Sequence, residues 1–205
     1  MTRSGPSADG NVSTPMKTVT WRLGTDAALG LANSLHGPGA HYRRRASADE
    51  PAHDHLDTPE RAVEFLRTHA IPDPGTPPTD RQLARLRSLR AAVRVLADDP
   101  ALDPVAWRST LDPALRDVDY RLRADGSMRS SATGWDAVID DLLPAALGLA
   151  DEHDKLRRCG NPRCRWLFVD RSRMQNRIWC EAAVCGNRMR VSRHRRGPAA
   201  ADARA

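Results

Sequence analysis

The chain has 205 residues, a length suited to one ordinary domain or to one domain with a small appended module. Hydrophobic residues make up 40% and charged residues 28%, which supplies a packed core and excludes wholesale disorder. The longest nearly apolar stretch, residues 142–150, is too short to span a bilayer and contains Pro144, and residues 1–12 lack the apolar segment of a secretory signal; the expectation is a cytoplasmic protein with no membrane partner.

The net charge of +6 is unevenly spread. Residues 157–196 carry twelve Arg against Asp170 and Glu181, a local balance of +10, whereas the other 165 residues hold 20 basic and 24 acidic groups. A mildly acidic body with a strongly basic end points to a polyanionic partner, nucleic acid first. Lys appears only twice, so the choice of Arg over Lys carries no weight; the clustering does.

In chain order, residues 1–20 mix Gly, Ser, Thr, Pro and Asp without periodicity and are expected to form a disordered tail. Residues 26–35 suit a short helix, and residues 41–56 suit a loop. Thr58-Pro59-Glu60 is a helix start, with Thr as N-cap, Pro at the first helical position and Glu at the positive end of the dipole. The apolar set Ala62, Val63, Phe65 and Leu66 carries that helix to about residue 70. Pro72, Pro74, Pro77 and Pro78 break the chain. Leu83, Leu86, Leu89, Val93 and Leu96 then recur at steps of three and four, which predicts a helix over 80–97 with Arg81, Arg85 and Arg87 on its other face.

Residues 115–123 switch to period two and predict a strand, Asp125-Gly126 signals a hairpin turn, and a return strand is expected over 128–133. Residues 135–150 read as a helix that Pro144 either kinks or restarts. The expected fold is therefore mainly α with a small β-hairpin: an α-rich domain over 21–152, a four-cysteine module over 153–197 and a short tail over 198–205. Nothing before residue 153 looks catalytic. His53 and His55 suit solvated loop positions better than metal ligands, Asp140 and Asp141 are adjacent and diverge on a helix, and His36 and His69 suit helix ends.

All four cysteines lie in the basic end, as Cys159-x4-Cys164 and Cys180-x4-Cys185. Two short-spaced pairs fold two turns toward one another and supply the tetrahedral sulfur set that zinc prefers. Two disulfides are the competing reading, and a chain with no secretion signal and no other cysteine fits it poorly. Four thiolates would close the coordination sphere, so one structural zinc ion is expected and an enzyme is not. The run Arg165-Trp166-Leu167-Phe168-Val169-Asp170 suits a short strand. Trp166, Phe168 and Trp179 either complete a small core or stack on bases, and Asp170 either anchors an Arg or caps a turn. The segment from Gly186 to Arg196 suits a helix that Gly197-Pro198 ends. Its arginines match phosphate oxygens and guanine edges.

Cys159-x4-Cys164, Phe168-x-Asp170-x-Ser172, Arg177-x-Trp179-Cys180 and Cys185-Gly186-Asn187-Arg188 together resemble the CGNR zinc finger. The N-terminal half is similar, more loosely, to the ABATE domain through Leu29-Gly30-Leu31-Ala32-Asn33-Ser34, Leu56-Asp57-Thr58-Pro59-Glu60 and the 86–96 helix. Met174 stands where the finger often has Asn, and Arg190 where Lys is common. The resemblance implies that Cys159, Cys164, Cys180 and Cys185 bind zinc, that the finger binds DNA, and that the protein is a stress-induced transcription regulator of bacterial type. DNA contacts are then expected from Arg173, Arg177, Arg188, Arg190, Arg193, Arg195 and Arg196, with a body that senses a small-molecule effector or forms a homodimer. An RNA-binding protein and a protein-interaction adaptor are the alternatives.

Overall fold

A computed structural model describes residues 20–38, 51–69, 71–99 and 101–196. The expected tails, apart from Thr20, and the 41–50 part of the expected loop lie outside these residues. In chain order the elements are β1 (Thr20–Trp21), α1 (Thr25–Ala32), β2 (Leu35–His36), β3 (His53–Asp54), α2 (Pro59–Arg67), α3 (Asp80–Asp98), α4 (Pro104–Ser109), α5 (Asp112–Arg116), β4 (Tyr120–Leu122), β5 (Ser127–Ser130) and α6 (Gly134–Asp151). A 3-10 turn (His153–Lys155) leads to β6 (Leu156–Arg158) and β7 (Leu167–Val169); a π-helical turn (Ala182–Gly186) then runs directly into α7 (Asn187–Arg196).

Local signals account for most helix starts. The Thr58 hydroxyl accepts the Arg61 N–H with Pro59 in the first turn, as expected, although α2 ends at Arg67. Thr79 and Gln82 form a reciprocal capping box at α3. At α4 the Asp103 carboxylate accepts the Val105 N–H, with Pro104 at the first helical position. Residues 115–116 of the expected 115–123 strand belong instead to α5, which has Pro113 in its first turn, and only β4 of that strand remains. The hairpin itself forms, with Tyr120 opposite Ser130 and Leu122 opposite Met128, and β1 extends it in parallel.

Pro144 lies inside one continuous helix and does not restart it. Proline lacks an N–H, so the carbonyl four residues earlier loses its helical donor. That carbonyl belongs to Asp140, and the Tyr120 hydroxyl donates to it at 2.5 Å. The hairpin thus fills the gap that proline opens in the helix.

Helices α1, α3 and α6 pack on one another around a core that includes Leu31, Leu86, Val93, Leu142 and Leu149, with Phe65 of α2 and Trp107 of α4 closing its sides. Leu156, Leu167 and Val169 of the C-terminal hairpin belong to the same core. Buried polar pairs fix the layers. Asp140 takes Arg85 at 2.8 Å and the Ser130 hydroxyl at 2.9 Å, and Asp141 takes the Ser130 N–H at 2.9 Å and Arg22 at 3.2 Å. The two carboxylates are structural, joining α6 to α3 and to the three-stranded sheet.

Residues 53–54 are a strand, not loop, paired with β2. A stripe of arginines on α3 holds this hairpin. Arg87 donates to the Leu56 carbonyl, Arg90 grips Asp54 through both terminal nitrogens (2.5 and 2.9 Å), and Arg94 donates to the Ala32 and Leu35 carbonyls, both at 2.9 Å. Burial, and then the nearby Arg158, lowers the Arg94 guanidinium to about 10.

Burial alone would raise the Asp54 carboxyl, but hydrogen bonds from Arg90 and the Leu56 N–H, with the charges of Arg90 and Arg87, hold it below the usual carboxylate range. A carboxyl depressed by folding contributes stability above its unfolded pKa of about 4 and loses it as pH falls through the folded value. Asp54→Asn should therefore cost about 2 kcal/mol near neutral pH, the worth of a charge-assisted hydrogen bond, and the gap to the parent should shrink as pH falls below about 4. Urea unfolding at several pH values reads this directly.

Candidate metal centre and basic surface

The finger begins as a hairpin. Leu156 pairs with Val169 and Arg158 with Leu167, and the Cys159 N–H donates to the Trp166 carbonyl at 2.8 Å. The chain between the strands must reverse within the Cys159–Cys164 turn. Asn161 ties it: its side-chain oxygen accepts the Arg163 N–H at 3.1 Å, and its carbonyl accepts the Cys164 N–H at 2.8 Å. Arg165 exits with φ 58°, a left-handed conformation that non-glycine residues rarely adopt.

Cys185 of the second pair lies in the π-helical turn, where its N–H donates to the Glu181 carbonyl at 2.9 Å. A single indole lies against the glycine that follows Cys159 and against the glycine that follows Cys185. A Cβ on Gly160 would stand 3.2 Å from the Trp179 ring and 2.6 Å from the Ile178 side chain, and one on Gly186 would stand 3.1 Å from the Trp179 ring. Both Cys-Gly-Asn sequences thus need glycine for close packing on Trp179.

The four sulfurs all lie within 4.8 Å of one another. Cys164 Sγ is 3.7 Å from Cys180 Sγ, and Cys180 Sγ is 3.8 Å from Cys185 Sγ. A disulfide needs about 2.05 Å, so these are not bonded pairs. Four sulfurs at about 2.3 Å from one zinc ion, arranged as a tetrahedron, stand about 3.8 Å apart. The donor set therefore fits one structural zinc ion in both chemistry and spacing. Cys159, Cys164 and Cys185 are buried, and the Asn161 amide donates to the Cys185 sulfur at 3.7 Å, the kind of contact that orients a metal ligand. Four sulfurs this close share protons as one set: their mutual hydrogen bonds hold the Cys159 thiol below the ordinary thiol range and the Cys164 and Cys180 thiols above it.

The aromatic residues resolve toward packing. Phe168 is buried, Trp166 packs against both the main core and the cysteine cluster, and Trp179 packs against the cysteines. Asp170 caps a turn: fully buried, it accepts the Ser172 N–H at 3.0 Å and the Arg177 N–H at 2.7 Å.

The expected DNA-contact arginines separate by environment. Arg173, Arg190, Arg193 and Arg195 are exposed, with Arg190 also donating to the Asn187 side chain at 3.1 Å. Arg188 is half-buried. Arg177 is held on the finger itself, donating to the Cys180 carbonyl at 2.7 Å with its guanidinium 4.9 Å from the Phe168 ring centre. Arg196 closes α7. Helix α7 contains no acidic residue, and it starts two residues after Cys185. His53 and His55 lie not in a solvated loop but beside His36, with Nε2 of His36 and His55 3.0 Å apart. His69 does cap α2, donating from Nδ1 to the Phe65 carbonyl at 2.8 Å, whereas His36 sits in β2.

Sequence reasoning missed the residues that seat the finger on the body. The Asn33 amide, at the end of α1, bonds both backbone groups of Leu167, donating to its carbonyl at 2.9 Å and accepting its N–H at 2.7 Å. The Gly37 N–H donates to the Cys164 carbonyl at 2.7 Å, and a Cβ on Gly37 would overlap the Arg163 carbonyl oxygen at 2.1 Å. Ion pairs from Arg158 to Asp98 and from Arg171 to Glu152 and Asp26 complete the contact. The purified chain should carry one zinc ion, and removing it with a strong chelator should lower the thermal midpoint by about 10 °C, equivalent to roughly 4 kcal/mol at this size. An unchanged midpoint after verified metal loss would contradict the assignment.

Two family models match the chain. One, the CGNR zinc finger, covers residues 155–196. The other is ABATE, described as "Putative stress-induced transcription regulator", and covers residues 25–153. No curated protein matches the chain. With the helical body and the four-sulfur centre placed as above, the chain belongs to the ABATE family and carries a CGNR zinc finger at its C-terminal end.

Proposed function

We propose that the chain is a zinc-dependent, DNA-binding transcription regulator acting in the bacterial cytoplasm. The observation that carries this reading is α7, an acid-free helix whose exposed Arg190, Arg193 and Arg195 start from a metal-fixed turn. Guanidinium groups held on a rigid helix meet phosphates without first paying the entropy of ordering a tail. Arg173, also exposed, and Arg188 and Arg196 of α7 add to the positive charge of the finger, and Arg177 contributes by holding the turn before Cys180. The family description supports regulation of transcription. The metal's part is structural: four thiolates fill a tetrahedral shell and leave no position for a substrate. Burial of Phe168 and the packing of Trp166 and Trp179 favour duplex DNA over unpaired RNA, which needs open aromatic faces. The helical body then carries the regulatory input, through an effector or through a second copy of the chain.

Affinity for a DNA duplex should fall linearly on a log–log plot against salt. Each phosphate-contacting Arg contributes about one to that slope, so the double variant R193A/R195A should flatten it by about two. Titrations by fluorescence anisotropy check this. Equal slopes in parent and variant, tighter retention of structured RNA at matched salt, or duplex binding that survives zinc removal would each overturn the reading.

A further inference from the structure

A second concave site lies where the helical body meets the finger. It is a cavity of about 580 Å³ whose walls include Phe65, Trp166, His55 and His69, with Arg61 and Glu64 also lining it. That volume falls in the range of small-molecule sites. The rings give it flat faces. Phe65 stacks on His55 with centres 4.4 Å apart and on His69 at 3.9 Å, and Trp166 stands 5.8 Å from His69.

These rings are fixed before any guest arrives. A carbonyl can only accept, so His69 carries its proton on Nδ1, where it donates to the Phe65 carbonyl. His36, also on the wall, donates from Nδ1 to the Gly37 carbonyl at 2.9 Å and meets His55 through Nε2. Locked rotamers and tautomers lower the cost of binding.

Charge selects the guest. Arg61 uses Nη1 to pair with Asp57, one of the five donors of its guanidinium. Burial first, then His36, Arg61, His53 and His69, push the His55 imidazole down to about 4, so it is neutral near pH 7, and the lining carries the Glu64 carboxylate as well as the Arg61 guanidinium. An anionic group on a guest has its partner in the remaining donors of Arg61. Aromatic walls beside a guanidinium match a ring that bears a carboxylate.

We propose that this cavity binds a small planar aromatic carboxylate, with its ring against Trp166 and its acid group on the Arg61 guanidinium. The site adjoins the zinc finger directly. Trp166 packs on both the main core and the cysteine cluster, and the Gly37 N–H, next to His36, donates to the Cys164 carbonyl at 2.7 Å. Occupancy therefore bears on how the finger is seated. Any consequence for DNA rests on the DNA-binding reading above; the binding itself does not.

Calorimetry on the full, zinc-loaded chain tests the site with three matched probes: naphthoate, its neutral amide and the corresponding naphthylmethylamine. Naphthoate should bind once per chain and at least about tenfold more tightly than either other probe, a difference near 1.4 kcal/mol. Arg61→Gln, on an exposed part of α2, should remove about that factor for naphthoate and leave the amide unchanged, with zinc content and thermal midpoint retained. No saturable naphthoate binding, equal binding of the amide or amine, or an unaffected Arg61→Gln variant would overturn the site. Saturating naphthoate should also change duplex affinity by at least about threefold. Calorimetric binding without that change would overturn only the coupling, and a chain that never binds DNA would sink the regulator reading while calorimetry still decides the site.

Discussion

Convergence of four sulfurs on one point is the constraint from which the rest of the C-terminal half follows. A segment of some forty residues buries too little area to hold a unique shape by hydrophobic packing alone. Here its shape follows from the sulfur spacing of 3.7 and 3.8 Å. The centre holds the first turn against the second, fits both Cys-Gly-Asn stretches around Trp179, and fixes the start of α7. Without a metal, four thiols this close would repel as they ionise and would hold nothing in register.

The metal does not act alone, because the finger is not a separate globule on a string. Leu156, Leu167 and Val169 lie in the core of the helical body, and the Asn33 side chain bonds Leu167 as a neighbouring strand would. Each unit completes the other. The body gains a hairpin over α1 and α3, and the finger gains a hydrophobic floor. Such sharing makes the two matched family units one cooperative structure, in which a change at the body's surface near His36 and Gly37 reaches the Cys164 turn through packed atoms rather than through a linker.

Legibility in the sequence divides along the range of the interaction. Thr58-Pro59, the Leu83 to Leu96 spacing and the paired cysteines are local patterns, and each signals its structure without knowledge of the rest. So does α7, bounded by Cys185-Gly186 and Gly197-Pro198. Most failures are non-local; the helical start of the expected 115–123 strand, with Pro113 in its first turn, is a local one. Arg87, Arg90 and Arg94 look like any solvated helix face until β2 and β3 supply carbonyls and Asp54 to receive them. Asn33 has no pattern of its own, since its partner lies 134 residues away. Strand β6 is hidden because Leu156-Arg157-Arg158 gains its identity only from pairing with β7. Pro144 reads as a break because the donor that compensates it, Tyr120, comes from another element. The four histidines seemed unrelated because a hairpin and the end of α2 bring them together, not their spacing.

Zinc K-edge X-ray absorption on the purified, reduced chain probes the founding interaction most directly. The account predicts a single shell of four sulfurs at about 2.3 Å. A shell containing nitrogen or oxygen donors, or fewer than four sulfurs on a finger that is nonetheless folded, would contradict it.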